Sequence, residues 1–142
     1  SKRFGPITAG HRQWRDKGHC SYVHGYGRYV RLTFEATELD ERGWVMDFGD
    51  LRDVKSWIES EWDHRTLIAA DDPVIPELKA LEKVGGINLN ILPKGYLPGI
   101  EESCRYLYDR LNPVIQRKTN NRVEITRVEI WETEKNQAEY VR

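Results

Sequence analysis

The stretch Cys20-Ser21-Tyr22-Val23-His24-Gly25-Tyr26 sets a thiol, an imidazole and a phenol within seven positions, at the entrance to an apolar, strand-like run. A thiolate can take a proton, and a neutral imidazole can bind a metal or relay a proton. On an extended backbone, side chains two apart share a face, so His24 and Tyr26 point the same way while Cys20 sits on the loop leading in. Three more pieces extend the inventory: Ala9-Gly10-His11, Trp62-Asp63-His64 and Trp131-Glu132-Thr133. Taken singly, each has an ordinary structural explanation. A strand histidine is usually a hydrogen-bonded structural residue, a histidine at a helix end can simply meet the dipole, and a strand-end glutamate is usually solvated. The spacing of Cys20, His24 and position 26 is the more specific signal.

The elements that must position these groups are readable from the apolar pattern. Residues 22–36 carry Tyr22, Val23, Tyr29, Val30, Leu32, Thr33 and Phe34, a density that predicts a long strand with His24, Tyr26, Arg28, Val30, Leu32 and Phe34 on one face. A turn over Thr37–Gly43 follows. Asp47 then suits the N-cap of a helix whose Leu51, Val54, Ile58 and Trp62 recur at helical spacing, leaving Asp63 and His64 just past its end. Residues 69–97 are punctuated by Pro and Gly, and only Pro76–Val84 can make a short helix. Pro98 suits the first turn of a second long helix, with Ile100, Cys104, Leu107, Tyr108 and Leu111 as its stripe and an end near Pro113. Cys104 reads as a small core residue. In Arg122–Thr133, Val123 and Ile125 lie on one parity and Val128 and Ile130 on the other, which a bulge near Arg127 reconciles. With a turn at Glu134–Gln137 and a short strand at Ala138–Arg142, the expected order is strand, strand, helix, helix, strand, strand.

Bulk properties narrow the function class. The chain has 142 residues, enough for one domain spanning 1–142 with a real core. Twenty-two basic against twenty-three acidic residues give a formal net charge of −1, without the footprint of a dedicated nucleic-acid binder. Its two cysteines show no paired spacing, so a disulfide framework and a four-cysteine zinc site are unsupported. No apolar run reaches membrane-spanning length, and the expectation is a soluble cytoplasmic protein with a small-molecule partner, no nucleic acid and no membrane.

Read together, the pieces resemble the family of 6-pyruvoyl-tetrahydropterin and 6-carboxytetrahydropterin synthases. The resemblance rests on Ile7-Thr8-Ala9-Gly10-His11, Cys20-x-x-x-His24-Gly25-Tyr26, Gly43-Trp44-Val45-Met46-Asp47-Phe48, Trp62-Asp63-His64, Pro98-Gly99-Ile100-Glu101, Glu132-Thr133 and Tyr140, in the family's order. It implies an α+β tunnelling fold: a four-stranded antiparallel sheet with two helices on one face, sheets of several copies joining into a barrel, and a homohexamer built as a dimer of trimers. The implied activity is a lyase acting on 7,8-dihydroneopterin triphosphate with release of triphosphate. The 6-carboxytetrahydropterin branch of queuosine and deazaguanine biosynthesis is preferred to the 6-pyruvoyl branch.

The same resemblance assigns roles. Cys20 becomes the catalytic thiol, Asp63 and His64 a second acid–base unit, Glu132 the pterin anchor and Glu101 a further substrate contact. Zinc would be held by His11, His24 and Tyr26. Tyr26 stands where the family has its third histidine, and a phenol with a pKa of about 10 is outside the ordinary zinc set of His, Cys and carboxylate. Two outcomes stay open: weaker zinc completed by Tyr26 or water, which is preferred, and loss of the metal. Gly99 likewise replaces a family threonine. The rivals are a pterin-binding relative that has lost the reaction and a nicotinamide-dependent reductase of the same fold, for which no cofactor motif is present.

Overall fold

A computed structural model describes all residues, 1–142. Strand β1 (Lys2–His11) pairs antiparallel with β2 (His24–Ala36), β2 with β5 (Val123–Trp131), and β5 with β6 (Gln137–Val141). Two short parallel strands, β3 (Arg65–Ile68) and β4 (Leu89–Ile91), extend the sheet beyond β1, giving six strands in the order β4-β3-β1-β2-β5-β6. The expected four-stranded antiparallel sheet is therefore the larger part of a mixed sheet. Strands of three and four residues are too short to display alternation, and their pairing is a tertiary event.

Helices α1 (Arg52–Trp62) and α3 (Ile100–Lys118) run as the apolar spacing requires, α1 preceded by a 3-10 turn whose N-cap Asp47 accepts from the Gly49 N–H at 2.7 Å. A third helix, α2 (Ile75–Lys83), bridges β3 to β4, so 69–97 is an ordered crossover. Helix α3 continues through Pro113, past the expected stop. The proline forfeits one N–H bond, but Leu111 and Ile115 on either side are both buried and hold the rod against the sheet. The β5 bulge falls at Thr126, between the pairs Thr33 with Arg127 and Phe34 with Ile125, and reconciles the two parities as anticipated.

One face of the sheet carries Ile7, Val30, Leu32, Ile125, Val128 and Ile130 against Val54, Ile58 and Trp62 of α1 and Cys104, Leu107 and Ile115 of α3. Each such fully buried aliphatic side chain contributes about 1.5–3 kcal/mol. The opposite face is polar. Arg31 pairs with Glu129 at 3.6 Å, Arg127 with Glu139 at 3.3 Å, and Arg142 with Glu124, while the Arg3 guanidinium lies 4.0 Å from the Tyr29 ring centroid. Surface pairs add little stability, so these keep that face compatible with water.

The crossover also clamps the loop that delivers Cys20. Arg12, just past β1, meets Asp72 at 2.8 Å with the Asp72 carboxylate fully buried, while Asp71 pairs with Arg15 and accepts from the Trp14 indole N–H at 3.2 Å. Removing one member of a buried pair leaves the other charge uncompensated. Asp72→Ala is therefore expected to cost about 2–4 kcal/mol, lowering Tm by roughly 5–10 °C in a thermal melt. An unchanged Tm would show that the clamp is dispensable.

Candidate functional site

Antiparallel pairing brings the end of β1, the start of β2, the end of β5 and the start of β6 to one end of the sheet, where the N-terminus of α3 also arrives. The β1–β2 register sets His11 directly opposite His24 and Ala9 opposite Tyr26. It is a close approach: a Cβ at Gly25 would lie 2.6 Å from the Ala9 carbonyl oxygen, so glycine is required there. The ring centroids of His11 and His24 are 4.5 Å apart, with Tyr26 6.2 and 5.7 Å from them. These three rings, Cys20, Glu101 and Glu132 line one open cleft of about 490 Å³. Six of the eight anticipated residues thus converge.

Asp63 and His64 do not join them within one chain. They lie beside β1 at Thr8, where the Thr8 N–H donates to Asp63 Oδ1 at 3.0 Å and the His64 N–H to the Thr8 carbonyl at 2.7 Å. Asp63 Oδ2 stands 3.1 Å from His64 Nδ1, and the imidazole is largely exposed. The Thr8 N–H, and after it His64, hold the Asp63 carboxyl below its ordinary range. His64 has φ +56°, a left-handed conformation uncommon outside glycine, though histidine adopts it more readily than most residues.

The two cleft imidazoles differ in their hydrogen bonding. His24 Nδ1 lies 2.6 Å from the Tyr22 carbonyl, an acceptor only, so Nδ1 carries the proton and Nε2 presents a lone pair. His11 is 3 % exposed, and its Nδ1 lies 3.2 Å from Nη2 of Arg28, a donor only. In His11, Nδ1 therefore accepts and Nε2 carries the hydrogen. Burial first, then the charge of Arg28, lowers the His11 pKa to about 3.

A histidine that gains a proton near pH 6.5 when unfolded and only near pH 3 when folded makes the unfolded state bind more protons in between. Stability is then complete above about 6.5 and falls as pH drops toward 3, by about 1.4 kcal/mol per pH unit for this one group. His11→Gln should flatten that part of the acid-side stability curve in denaturant titrations; an unchanged slope would mean that His11 protonates normally.

These donor sets bear directly on zinc. No group of three or more His, Cys, Asp or Glu side chains converges to hold a metal ion. Of the three positions that the resemblance implies, His24 offers a lone pair, His11 has its Nδ1 bound to a cation, and Tyr26 is a phenol. A three-point zinc site does not fit this arrangement, because metallation of His11 through Nε2 would need Nδ1 to be protonated against the guanidinium.

Sequence reasoning missed five further groups. Gln13, Lys135, Asn136 and Gln137 line the cleft, and Arg28 lies fully buried beside His11. A Cβ at Gly99 would run into the Gln13 amide, so glycine leaves room for that side chain. Gln13 shares parity with His11, and a lone arginine in the apolar face of β2 was the available signal for Arg28. The residues 135–137 carried none, since a polar turn looks alike whether or not it borders a site.

Comparison with solved structures defines the class of fold. The chain superposes on an uncharacterised protein from Wolinella succinogenes with a TM-score of 0.82 at 25% identity, covering 99% of this chain and 95% of that one. It matches a 6-pyruvoyltetrahydropterin synthase from Plasmodium vivax with a TM-score of 0.70 at 16% identity, covering 99% and 96%, a likeness of fold. The chain belongs to the 6-pyruvoyl tetrahydropterin synthase family, whose sequence profile matches residues 2–142. A relative from Aquifex aeolicus, 29% identical over 157 residues and covering 99% of this chain and 95% of its own, is named 6-carboxy-5,6,7,8-tetrahydropterin synthase. A Rickettsia typhi protein of the same name is 34% identical over 70 residues, 49% of this chain and 51% of the relative.

Proposed function

We propose that the chain is a 6-carboxytetrahydropterin synthase-like lyase, acting as one unit over 1–142 on 7,8-dihydroneopterin triphosphate with release of triphosphate, in cytoplasmic queuosine and deazaguanine biosynthesis. The convergence of Cys20, His11 and His24 with Glu132 in one cleft carries this reading, and the names of the Aquifex and Rickettsia relatives support it. Glu132 and Glu101 bind the substrate, Glu132 by accepting two parallel hydrogen bonds from a pterin N–H and its amino group. The side-chain hydroxyls then lie toward His11, His24 and Tyr26. Cys20, as thiolate, takes the proton of the first side-chain carbon, the electron pair moves into the conjugated ring, which is reprotonated to the tetrahydro level, and that carbon becomes a ketone. Loss of the proton on the second carbon supplies the pair that expels triphosphate as its C–O bond breaks. Water adding to the ketone, with cleavage of the bond between the first and second carbons, leaves the carboxylate and releases a two-carbon aldehyde.

Asp63 and His64 enter this cycle from another copy of the chain, in a homohexamer of two trimers. Two observations support that arrangement: the His64 imidazole is exposed and oriented by Asp63, and its positive φ is the kind of local strain that gathers at functional positions. The outer edges of β1 over residues 2–7 and of β6 have no strand partner, so sheets of neighbouring copies have open backbone to join.

A second reading, a pterin-binding family member without turnover, is favoured by the bond between Arg28 and His11 that opposes the family's metal. Incubating the protein with dihydroneopterin triphosphate, with and without added zinc, separates the two. Triphosphate release supports the lyase; pterin binding without release overturns it in favour of the binder.

A further inference from the structure

Arg28 is a full positive charge with no solvent exposure, beside the cleft residue His11. Its Nη1 donates to Ser103 Oγ at 3.2 Å, and its Nη2 donates to the Pro98 carbonyl at 3.0 Å and to His11 Nδ1 at 3.2 Å. Its Nε–H has no partner, and the guanidinium carbon lies 5.5 Å from the centroid of the buried Trp62 ring. Burial lowers the Arg28 pKa to about 10, and the charges of Glu132 and Glu101 only partly offset this. A buried arginine without a bidentate carboxylate is costly. Here the protein spends two of its donors on α3 and its approach, and directs one at an imidazole.

We propose that Arg28 is a positioning residue that fixes His11 as a hydrogen-bond donor, turning a family metal site into a metal-free receptor for a vicinal diol. The cleft then presents an N–H from His11 and a lone pair from His24, whose ring centroids are 4.5 Å apart, with the Tyr26 ring 5.7 Å from that of His24. A hydroxyl both donates and accepts, so two adjacent hydroxyls of a side chain satisfy this pair of opposite polarity. Zinc would need two lone pairs at the same place, and it would sit beside a cation that cannot be deprotonated at neutral pH. The diol assignment rests on the pterin reading above, whereas the polarity of the two imidazoles stands without it.

The test uses the full chain without substrate. In nitrogen-15 NMR of the histidine rings, His11 should show the Nε2–H tautomer and His24 the Nδ1–H tautomer; an Nδ1–H tautomer at His11 overturns the proposal. In zinc titrations against a chromophoric chelator, the native protein should hold no tight stoichiometric metal, and Arg28→Met should raise zinc affinity at least tenfold. One tightly held zinc per native chain, or a folded Arg28→Met with unchanged affinity, also overturns it. Should Arg28→Met fail to fold, Arg28→Gln removes the cation with a polar side chain, and a zinc affinity raised at least tenfold there supports the proposal while an unchanged affinity overturns it. Failure of the pterin reading alone would appear as neither triphosphate release nor dihydropterin binding, with these ring tautomers intact.

Discussion

A Cys20→Ala protein is expected to fold and to bind a dihydropterin as the native protein does, yet to release triphosphate about 10²–10⁴-fold more slowly, the usual contribution of a positioned general base. Two features make the separation clean. Cys20 is half-buried on a short 3-10 turn whose carbonyl is held by the Gln13 N–H at 2.8 Å, a bond that the side chain does not make. The other cysteine, Cys104, cannot take its place, because it lies in the core, donates toward the Ala138 carbonyl at 3.4 Å, and has its thiol pushed up by burial to about 12. Single-turnover assays beside equilibrium binding check this. A rate within a few-fold of native would remove the thiol from the chemistry, and a parallel loss of binding would make Cys20 part of the substrate pocket instead.

Glu132→Ala should act on the other side of that division. A carboxylate that accepts two charge-assisted hydrogen bonds contributes about 1.5–3 kcal/mol for each, so its removal should weaken pterin binding at least ~100-fold. Little in the fold depends on the side chain. The Glu132 backbone N–H, which Ala retains, closes the turn by donating to the Asn136 carbonyl at 3.2 Å, and Asn136 Nδ2 reaches the carboxylate only at 3.5 Å. Melting temperature should hence stay near native while the dissociation constant of a dihydropterin, measured by calorimetry, rises. Glu132→Gln keeps one acceptor and presents a donor beside it, and should fall between the two. Equal affinity in all three proteins would place the pterin edge elsewhere.

What the sequence disclosed of the architecture follows how long each regularity persists. Strands β2 and β5 and helices α1 and α3 repeat their apolar positions over nine residues or more, enough for a period to be read and, in β5, for the bulge to be located from a change of parity. Strands β3 and β4 have no such length, and they are placed by tertiary docking, β3 beside β1 and β4 beside β3. For the site, the spacing of Cys20, His24 and position 26 was the signal in the residues themselves, and the family resemblance added His11, Glu132 and Glu101; strand register and the arrival of α3 bring them to one cleft. It could not disclose the bond between Arg28 and His11, which depends on χ angles reaching diagonally over the sheet. Nor could it show that Asp63 and His64 lie apart from the cleft in a single chain.

Strand β3 covers β1 at Ala9, Gly10 and His11, Asp63 and His64 occupy the backbone of Thr8, and residues 2–7 are left uncovered along that side. Any extended segment that adds there meets a hard stop where β3 begins, and the five residues of β6 fit the remaining length. In the proposed assembly, the stagger between successive copies would thus be set by where one short strand ends, before two molecules ever meet.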